Sequence, residues 1–400
     1  MLVNICSYLK FRYLLYFFSL IAGWPCVFYL IGWLPHYTFN YLVLLGLCII
    51  WLFIHWNKCS LPVPIFIMIF SQIVVWFIYY ACYDDTSYLT RIVYLLIVLC
   101  LLFIENYYQD KKFFYIYNGW LSLQVILGVI GFVLCMIGVL EPIFVFKEMD
   151  LRPGYFFGLF TTNTYLPPFV RVAGFYDEPG ALAFWGIFAL LINKLFFDNK
   201  KVEYILLIGL IVTLSMAYFI QAILYILCFM SKQRVRFFML IIIAIISLKL
   251  IANQSPKFDN AIFGRFEYNE STGRLKGDNR SDLAEKTAKV FYSSPLVGIG
   301  ANNLAEISFK KKEFMGANPY TQLAIDGLVG LFITWLPVFY LFRVGVRYKK
   351  YIGVAFICVV GFLQRPYDCT QLLYPLLLYS ICLWAYWENN IKDICKKQNI

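Results

Sequence analysis

The sequence is poor in charged residues. Only 14% of its 400 residues are Asp, Glu, Lys or Arg, whereas 62% are hydrophobic. A soluble domain carries about 25% charged residues and is about half apolar, so this chain requires an apolar solvent. Apolar stretches long enough to cross a bilayer recur from one end of the chain to the other. We therefore predict an all-α integral membrane protein whose helices pack against one another in lipid.

Metal-binding and nucleotide-binding patterns are also scarce. The chain has only two histidines, His36 and His55, and none of its 12 cysteines forms a C-x-x-C pair. A zinc or redox site is therefore disfavoured. The sequence contains no G-x-x-x-x-G-K-[ST] loop and no G-x-S-x-G elbow, so it supports neither ATP-driven transport nor serine-hydrolase chemistry. We predict no metal and no cofactor.

The distribution of positive charge along the chain indicates how the chain is oriented in the membrane. The net charge is +11, but Lys and Arg lie mainly in short connections between apolar spans, which argues against nucleic-acid binding. We predict about twelve spans with both termini in the cytoplasm and the Asp84–Asp85 loop outside. The predicted spans are residues 12–34, 38–55, 62–83, 87–106, 114–140, 180–197, 203–215, 216–231, 236–252, 318–342, 351–364 and 370–387.

The seventh and eighth spans form a predicted hairpin. Lys200 and Lys201 precede this region, and Lys232, Arg234 and Arg236 follow it. Both clusters favour the cytoplasm, so the chain is expected to turn back between them. The alternative is one long helix over residues 203–231.

Two long external loops complete the predicted organisation, a single polytopic domain over residues 1–400. The first loop covers residues 141–179 and the second covers 253–316, with a short amphipathic helix opening near Asp282. Loops of this length inside a compact protein are usually functional or disordered.

The first loop ends in the motif R-V-A-G-F-Y-D-E-P, which runs from Arg171 to Pro179. Pro179 suits the first turn of a helix, and a carboxylate just before it is favoured by the helix dipole. Glu178 therefore has two readings, as a helix cap or as a catalytic carboxylate. Arg171 likewise either anchors to lipid phosphates or binds substrate.

The second loop contains a further motif. Arg280 opens the amphipathic helix, and P-L-V-G-I-G follows with Gly298 and Gly300. A helix N-terminus with an arginine is a natural anion site, and glycines let backbone amides approach a phosphate. Alternatively, the two glycines only turn the chain back to the membrane.

A third motif, A-N-P-Y-T-Q, begins at Ala317 and is followed by Asp326 inside a span. An intramembrane carboxylate usually faces a cavity or a partner, so Asp326 either serves a site, forms a structural ion pair or is a protonated acid. Arg365, near the outer end of the penultimate span, adds positive charge to the same side or snorkels to the interface. Arg91 in the fourth span is read in the same way.

These motifs together resemble those of the O-antigen polymerase (Wzy) family, within the O-antigen polymerase and ligase superfamily. That family carries R-x-x-G-x-F-x-E-P after its fifth span, matched by Arg171, Gly174, Glu178 and Pro179, with Tyr176 as the aromatic. Arg280 with P-L-x-G-x-G resembles its second conserved segment, and Asn318 with Gln322 its third. Ala317 stands where the ligases have a catalytic histidine, which argues against a ligase.

The resemblance implies a metal-independent glycosyltransferase at the outer face of a bacterial inner membrane. It would polymerise oligosaccharide repeat units linked to undecaprenyl pyrophosphate, with a chain-length regulator as a further partner. Arg171 and Arg280 would bind the pyrophosphate, and Glu178 would be the general base. The predicted substrate-binding residues are Tyr176, Gly298, Gly300, Asn318, Asp326 and Arg365.

Other functions remain open at this point. A flippase for lipid-linked oligosaccharides has a similar size, but it typically shows internal repeats and short loops. An O-antigen ligase and a polymerase for capsule or exopolysaccharide are the nearest enzyme alternatives.

Overall fold

A computed structural model describes residues 2–23, 26–147, 153–230, 280–310, 318–366 and 368–398, together with isolated positions between 235 and 275. Within these residues the chain is mainly helical. The helices are α1 (Leu2–Ile21), α2 (Val27–Leu30), α3 (Tyr37–His55), α4 (Val63–Tyr83), α5 (Thr86–Tyr108), α6 (Lys112–Met136), α7 (Pro179–Ile192), α8 (Lys200–Gly209), α9 (Met216–Phe229), α10 (Arg280–Ser293), α11 (Ala301–Lys310), α12 (Thr321–Thr334), α13 (Leu336–Arg347), α14 (Lys350–Gln364) and α15 (Leu373–Gln398).

The strands are short and confined to the two predicted loops. They are β1 (Phe144–Lys147), β2 (Pro153–Phe156), β3 (Thr161–Thr162), β4 (Tyr165–Leu166), β5 (Phe169–Val170), β6 (Tyr268–Asn269) and β7 (Arg274–Leu275). The first three form an antiparallel sheet in the order β1-β2-β3, and the others pair as two hairpins. The described part of the first predicted loop, residues 141–147 and 153–179, thus contains paired strands.

Among the described residues, six helices are long and apolar enough to cross a membrane: Tyr37–Lys58, Val63–Tyr83, Thr86–Tyr108, Lys112–Met136, Pro179–Phe197 and Thr321–Arg347. Large apolar side chains cover their outer surfaces, such as Phe53 and Phe77 at 85% and 59% exposure. In water such surfaces would drive aggregation, so they require lipid. The prediction of a helical membrane protein holds at this level. The count of twelve spans and the sides of the loops stay predictions, and most of span 236–252 lies outside the described residues.

The chain forms two compact units. The first comprises Met1–Gly119 with Lys286–Ile400, and the second comprises Trp120–Glu285. That residues 1–400 act as a single polytopic domain stays a prediction.

In the first unit, α5 is the central helix. It packs against α3, α4 and α15, and eleven of its residues are buried. Its N-terminus is fixed by Asp85, whose side chain accepts a hydrogen bond from the Ser87 amide. Helix α12 is interrupted at Gly327, where φ is 63° and ψ is −169°. This break divides the predicted span 318–342.

In the second unit, α7 is buried along its whole length, with α8 and α9 packed against it. The predicted hairpin is present, because Tyr225 on α9 donates to Glu203 on α8 at 2.6 Å and Tyr218 donates to the Leu207 carbonyl. The chain reverses at Leu214, whose φ is 48°. Helices of 10 and 14 residues are about 15 and 21 Å long. Each is shorter than the ~30 Å hydrocarbon core.

Candidate functional site

The backbone of the first motif is held by strand β3. Thr161 accepts a hydrogen bond from the Ala173 amide at 2.9 Å and donates its own amide to the Gly174 carbonyl at 2.7 Å. Gln124 on α6 accepts from the Phe175 amide at 2.9 Å. A Cβ at Gly174, where φ is 62°, would lie 2.7 Å from the Gln124 side-chain oxygen. Glycine is therefore required at this position for the loop to close on α6.

Arg171 ties this motif to the end of α8. Its Nε donates to the Thr213 carbonyl and its Nη2 to the Leu214 carbonyl, both at 3.2 Å. These carbonyls end the 3₁₀ turn Leu210–Thr213, where the helix dipole favours a cation. These two bonds order the turn between α8 and α9. Arg171 is half-buried, so it lies at the edge of the second unit.

Glu178 occupies the N-cap position of α7, with Pro179 in the first turn as predicted. Its backbone is extended, with φ −140° and ψ 154°, and its side chain makes no capping hydrogen bond. The side chain is half-buried, unlike Asp177 beside it, which is buried. The capping reading of Glu178 therefore lacks the bond that defines a cap. A carboxylate remains at the positive end of a long apolar helix.

Tyr176 lies inside the second unit. It is 1% exposed, and its carbonyl accepts a hydrogen bond from the Thr161 hydroxyl at 2.5 Å. Its ring thus contributes to the packing of the loop. Its predicted role in positioning sugar stays a prediction.

In the first unit, Asp326 forms a buried ion pair with Arg91. The Arg91 Nη1 lies 2.6 Å from Asp326 Oδ2, and Tyr88 donates to Oδ1 at 3.1 Å. Gln322, one helical turn earlier, also donates to the carboxylate. The Arg91 guanidinium stacks 4.8 Å from the Trp76 ring centroid. The snorkelling interpretation of Arg91 is therefore wrong. Arg91 is the cation that the ion-pair interpretation of Asp326 requires.

Gly298 and Gly327 allow two backbone segments to cross at van der Waals distance. A Cβ on Gly298 would lie 2.2 Å from the Ile325 carbonyl oxygen, and one on Gly327 would lie 2.4 Å from the Leu296 oxygen. Both residues have positive φ, 69° and 63°. Neither position can accept another residue without moving backbone.

The crossing also satisfies the backbone groups that the break in α12 would leave unpaired. The amides of Leu328 and Val329 donate to the carbonyls of Pro295 and Leu296, at 2.9 and 3.0 Å. In return, the amides of Ile299 and Gly300 donate to Ala324 and Ile325, both at 2.9 Å. The Gly298 amide donates to Ser294 at 2.9 Å. Both motif glycines therefore use their amides inside the protein, which agrees with the turn-and-packing reading; the phosphate role stays a prediction.

The turn between α4 and α5 clamps the same segment. Tyr83 donates to the Gly298 carbonyl at 2.9 Å, and Asp85 accepts from the Asn302 amide at 2.9 Å and from the Ser87 amide at 2.9 Å. Asp85 is thus bonded at the N-termini of two helices, α5 and α11. Burial raises the pKa of this carboxyl, but these hydrogen bonds outweigh the burial and hold it below its ordinary value.

The remaining predicted residues lie apart from these contacts. Asn318 is buried, donates to Thr287 at 3.0 Å and accepts from the Tyr320 amide, so it joins the start of α12 to α10. Arg280 begins α10, and nothing is described of its side chain. Arg365 follows α14 and is half-buried. Ala317 lies outside the described residues.

Each unit thus brings together part of the predicted set. Arg171, Tyr176 and Glu178 lie on one loop of the second unit, whereas Gly298, Gly300 and Asp326 meet in the first. Tyr83, Asp85 and Tyr88 belong to the latter cluster and were not predicted as site residues, since spans three and four offered only topology. Arg91, which the sequence predicted either to add positive charge to the outer side or to snorkel, belongs to it as well. The described residues contain no group of three or more His, Cys, Asp or Glu side chains that could hold a metal ion.

No family model matches the chain, and no curated protein or solved structure is significantly similar to it.

Proposed function

We propose that this protein is a membrane glycosyltransferase of the O-antigen polymerase type. It joins oligosaccharide repeat units carried on undecaprenyl pyrophosphate, at the outer face of a bacterial inner membrane. The lipid-linked donor brings its own leaving group, so the reaction needs no nucleotide sugar outside the cytoplasm.

One observation carries the proposal. Glu178 stands half-buried at the N-terminus of a wholly buried helix, where the helix dipole favours a carboxylate. A general base needs a carboxylate that is rigidly placed and still reachable, and the loop from Thr161 to Gly174 supplies the rigidity through its hydrogen bonds.

The proposed roles follow from charge and position. Glu178 accepts the proton of the acceptor hydroxyl as it attacks the anomeric carbon, and the glycosidic bond to pyrophosphate breaks. Arg171 and Arg280 bind the pyrophosphate and offset the charge that it gains on leaving. The bonds of Arg171 to the Thr213 and Leu214 carbonyls hold its guanidinium in place at the end of the motif. Arg171 is therefore a positioning residue as well as a ligand in this proposal.

Glu178→Gln tests the proposed base. This substitution keeps the size of the side chain and removes its basicity, so we expect polymerisation to fall by about 10²- to 10⁴-fold. The measurement is a gel of surface polysaccharide from a deletion strain that expresses each variant at equal protein level. The wild type should restore a ladder of chain lengths, and Glu178→Gln should leave a single repeat unit.

Glu306→Gln is the matched control, since Glu306 is exposed on α11 and pairs only locally with Lys310. It should restore the full ladder. A normal ladder with Glu178→Gln would exclude Glu178 as the base. A deletion strain without any attached repeat unit would exclude a polymerase.

A transporter of lipid-linked oligosaccharides is the second candidate, and one observation favours it. Broken helices with buried charged residues near the middle of a span are typical of secondary transporters. Helix α12 is broken at Gly327 beside the Arg91–Asp326 pair. In that case the deletion strain would accumulate repeat units on the inner leaflet and attach none to the surface.

A further inference from the structure

The turn between α10 and α11 exposes apolar side chains. We call residues 292–297 the tip. In it, Leu296 and Val297 are 64% and 44% exposed, and Tyr292 is exposed as well. The flanking helices differ, because their exposed positions are mostly polar: Asp282, Glu285 and Lys289 on α10, and Asn302, Asn303 and Glu306 on α11. An exposed apolar tip between two polar helix surfaces indicates a contact that removes the tip from water.

Hydrogen bonds fix the depth of the tip along α4. The Tyr83 hydroxyl lies 2.9 Å from the Gly298 carbonyl oxygen and 3.1 Å from that of Val297. Tyr83 is the last residue of α4, and helical side chains lean toward the N-terminus, here toward the middle of the span. With 21 residues, α4 is about 31 Å long and matches the ~30 Å hydrocarbon core. The Val297 backbone therefore lies at the edge of the hydrocarbon.

The contacts with α12 place the tip beside a lipid-facing surface. The Val329 amide donates to the Leu296 carbonyl at 3.0 Å. Val329 and Phe332 are themselves exposed, on the long apolar span that α12 and α13 form. From there α12 runs inward along α4, since Gln72 in the middle of α4 donates to the Ile333 carbonyl at 2.6 Å. Leu296 thus continues an apolar surface that already requires lipid.

We propose that the tip is inserted into the bilayer, where Leu296 and Val297 contact the acyl chains of one leaflet. In the predicted orientation this is the outer leaflet. The predicted second loop, residues 253–316, is then not wholly external, and α10 and α11 are anchored to the membrane where they join. The occupant is lipid because the tip lies at membrane depth and its surface is continuous with Phe332. This inference goes beyond the proposed reaction and holds equally for a transporter.

Photo-crosslinking of the full-length protein in lipid nanodiscs tests the insertion. p-Benzoylphenylalanine is incorporated at Leu296, at Phe77 or at Ala305, one position in each variant. On irradiation the benzophenone inserts into nearby C–H bonds and forms no adduct with water, and intact-mass spectrometry measures the fraction of protein that carries a lipid. We expect a lipid adduct at Leu296 with a yield similar to that at Phe77, which is exposed within α4. The yield at Ala305, exposed on the polar face of α11, should be several-fold lower.

Two outcomes of the crosslinking would overturn the proposal. A lipid yield at Leu296 no higher than that at Ala305 would place the tip in water. Adducts with a second copy of the chain, instead of lipid, would make the tip a contact between protomers. If the Leu296 variant does not elute as monodisperse protein, the label is placed at Val297, for which the same results are expected and the same results count against insertion.

A charged substitution provides a second measurement. Leu296→Asp should lower the amount of folded protein in membranes several-fold, because an ionised carboxylate is unfavourable in hydrocarbon. Ala305→Asp is the matched control and should leave that amount unchanged, since its side chain is exposed on α11 among polar neighbours. If the tip were in water, Leu296→Asp would only replace an exposed apolar side chain by a soluble one. Equal amounts of the two variants would therefore contradict the insertion.

Discussion

Arg91 and Asp326 are charged residues that the membrane interior tolerates because they face each other. Asp326 is completely buried and Arg91 is 13% exposed. Tyr88 and Gln322 donate hydrogen bonds to the Asp326 carboxylate, and the Trp76 ring stacks on the Arg91 guanidinium. Such a pair is poor support for net stability, because desolvation offsets the attraction. Removing only one partner is strongly destabilising, because the other charge then stays buried without a counterion.

The buried pair therefore predicts strong non-additivity. Arg91→Leu should destabilise the protein by about 3–5 kcal/mol, because Asp326 stays behind without its cation. The double variant Arg91→Leu with Asp326→Leu should be much less destabilised than the sum of the single variants. Unfolding in mixed detergent micelles measures all three. Additive effects would contradict a direct energetic coupling between the two side chains.

Asp85 provides a second prediction at this scale. Asp85→Asn keeps one acceptor oxygen and loses the other, so one of two helix N-termini loses its bond. We expect a loss of about 1–2 kcal/mol in the free energy of unfolding. The neighbouring Asp84→Asn is the matched control, because Asp84 is exposed and Asn tolerates its left-handed backbone. Equal losses at both positions would argue against the two-helix bond.

The pH dependence of stability should depend on the same Asp85 contact. The pKa of Asp85 is held low in the folded protein, so its contribution to stability is present above the ordinary value of 3.8 and is lost as the pH falls through the folded pKa. Stability measured from pH 6 down to pH 3 should therefore fall more steeply for the wild type than for Asp85→Asn. Parallel curves would contradict this.

At the scale of elements, the break in α12 and the segment Pro295–Gly300 form one structure. Carbonyls of the segment accept hydrogen bonds from amides in the second half of α12. Amides of the segment donate to carbonyls in the first half of α12. In lipid, an interrupted helix is stable only where other groups satisfy its backbone. The two glycines that permit the crossing therefore belong to the architecture of the first unit.

Alanine at these glycines should be severely destabilising. Gly298→Ala and Gly327→Ala each combine a positive φ with a backbone contact under 2.5 Å, which we expect to cost roughly 3 kcal/mol or more. Gly46→Ala, in α3 with no atom within 4 Å, should be neutral or stabilising by about 0.5–1 kcal/mol. Folded yield and thermal stability in detergent compare the three. Well-folded Gly298→Ala protein would mean that the crossing is not as close as described.

The helices could be predicted from local sequence, whereas the contacts between them could not. Apolar length placed α3 to α6 within a few residues, and the lysine clusters on either side of residues 203–231 identified the turn at Leu214. The partner of Asp326 lies 235 residues away, and no local pattern indicates which of the outer arginines it is. The role of Gly298 was undecidable for the same reason, since the backbone that it approaches follows it by 27 to 28 residues.

At the scale of the whole molecule, the distribution of positive charge makes a prediction about topology. Lys10, Arg12, Lys58, Lys111 and the C-terminal lysines should face the cytoplasm. Green fluorescent protein fused to the C-terminus should fluoresce, and alkaline phosphatase fused there should be inactive. Alkaline phosphatase inserted after Asp84 should be active. The opposite pattern would place the Glu178 loop on the cytoplasmic side and would remove the basis for a lipid-linked donor.

The long separation between Arg91 and Asp326 also has a consequence for biosynthesis. At about 5–20 residues per second, the ribosome makes Asp326 roughly 10–50 s after Arg91. Throughout that interval Arg91 on α5 lacks its counterion Asp326, and Asp85 lacks the hydrogen bond from the Asn302 amide of α11. The nascent chain therefore passes through a stage in which α5 carries an unpaired buried cation, which a partner that binds α5 would stabilise until α12 is made. Premature termination before Asp326 would leave this stage permanent and expose the fragment to membrane proteases.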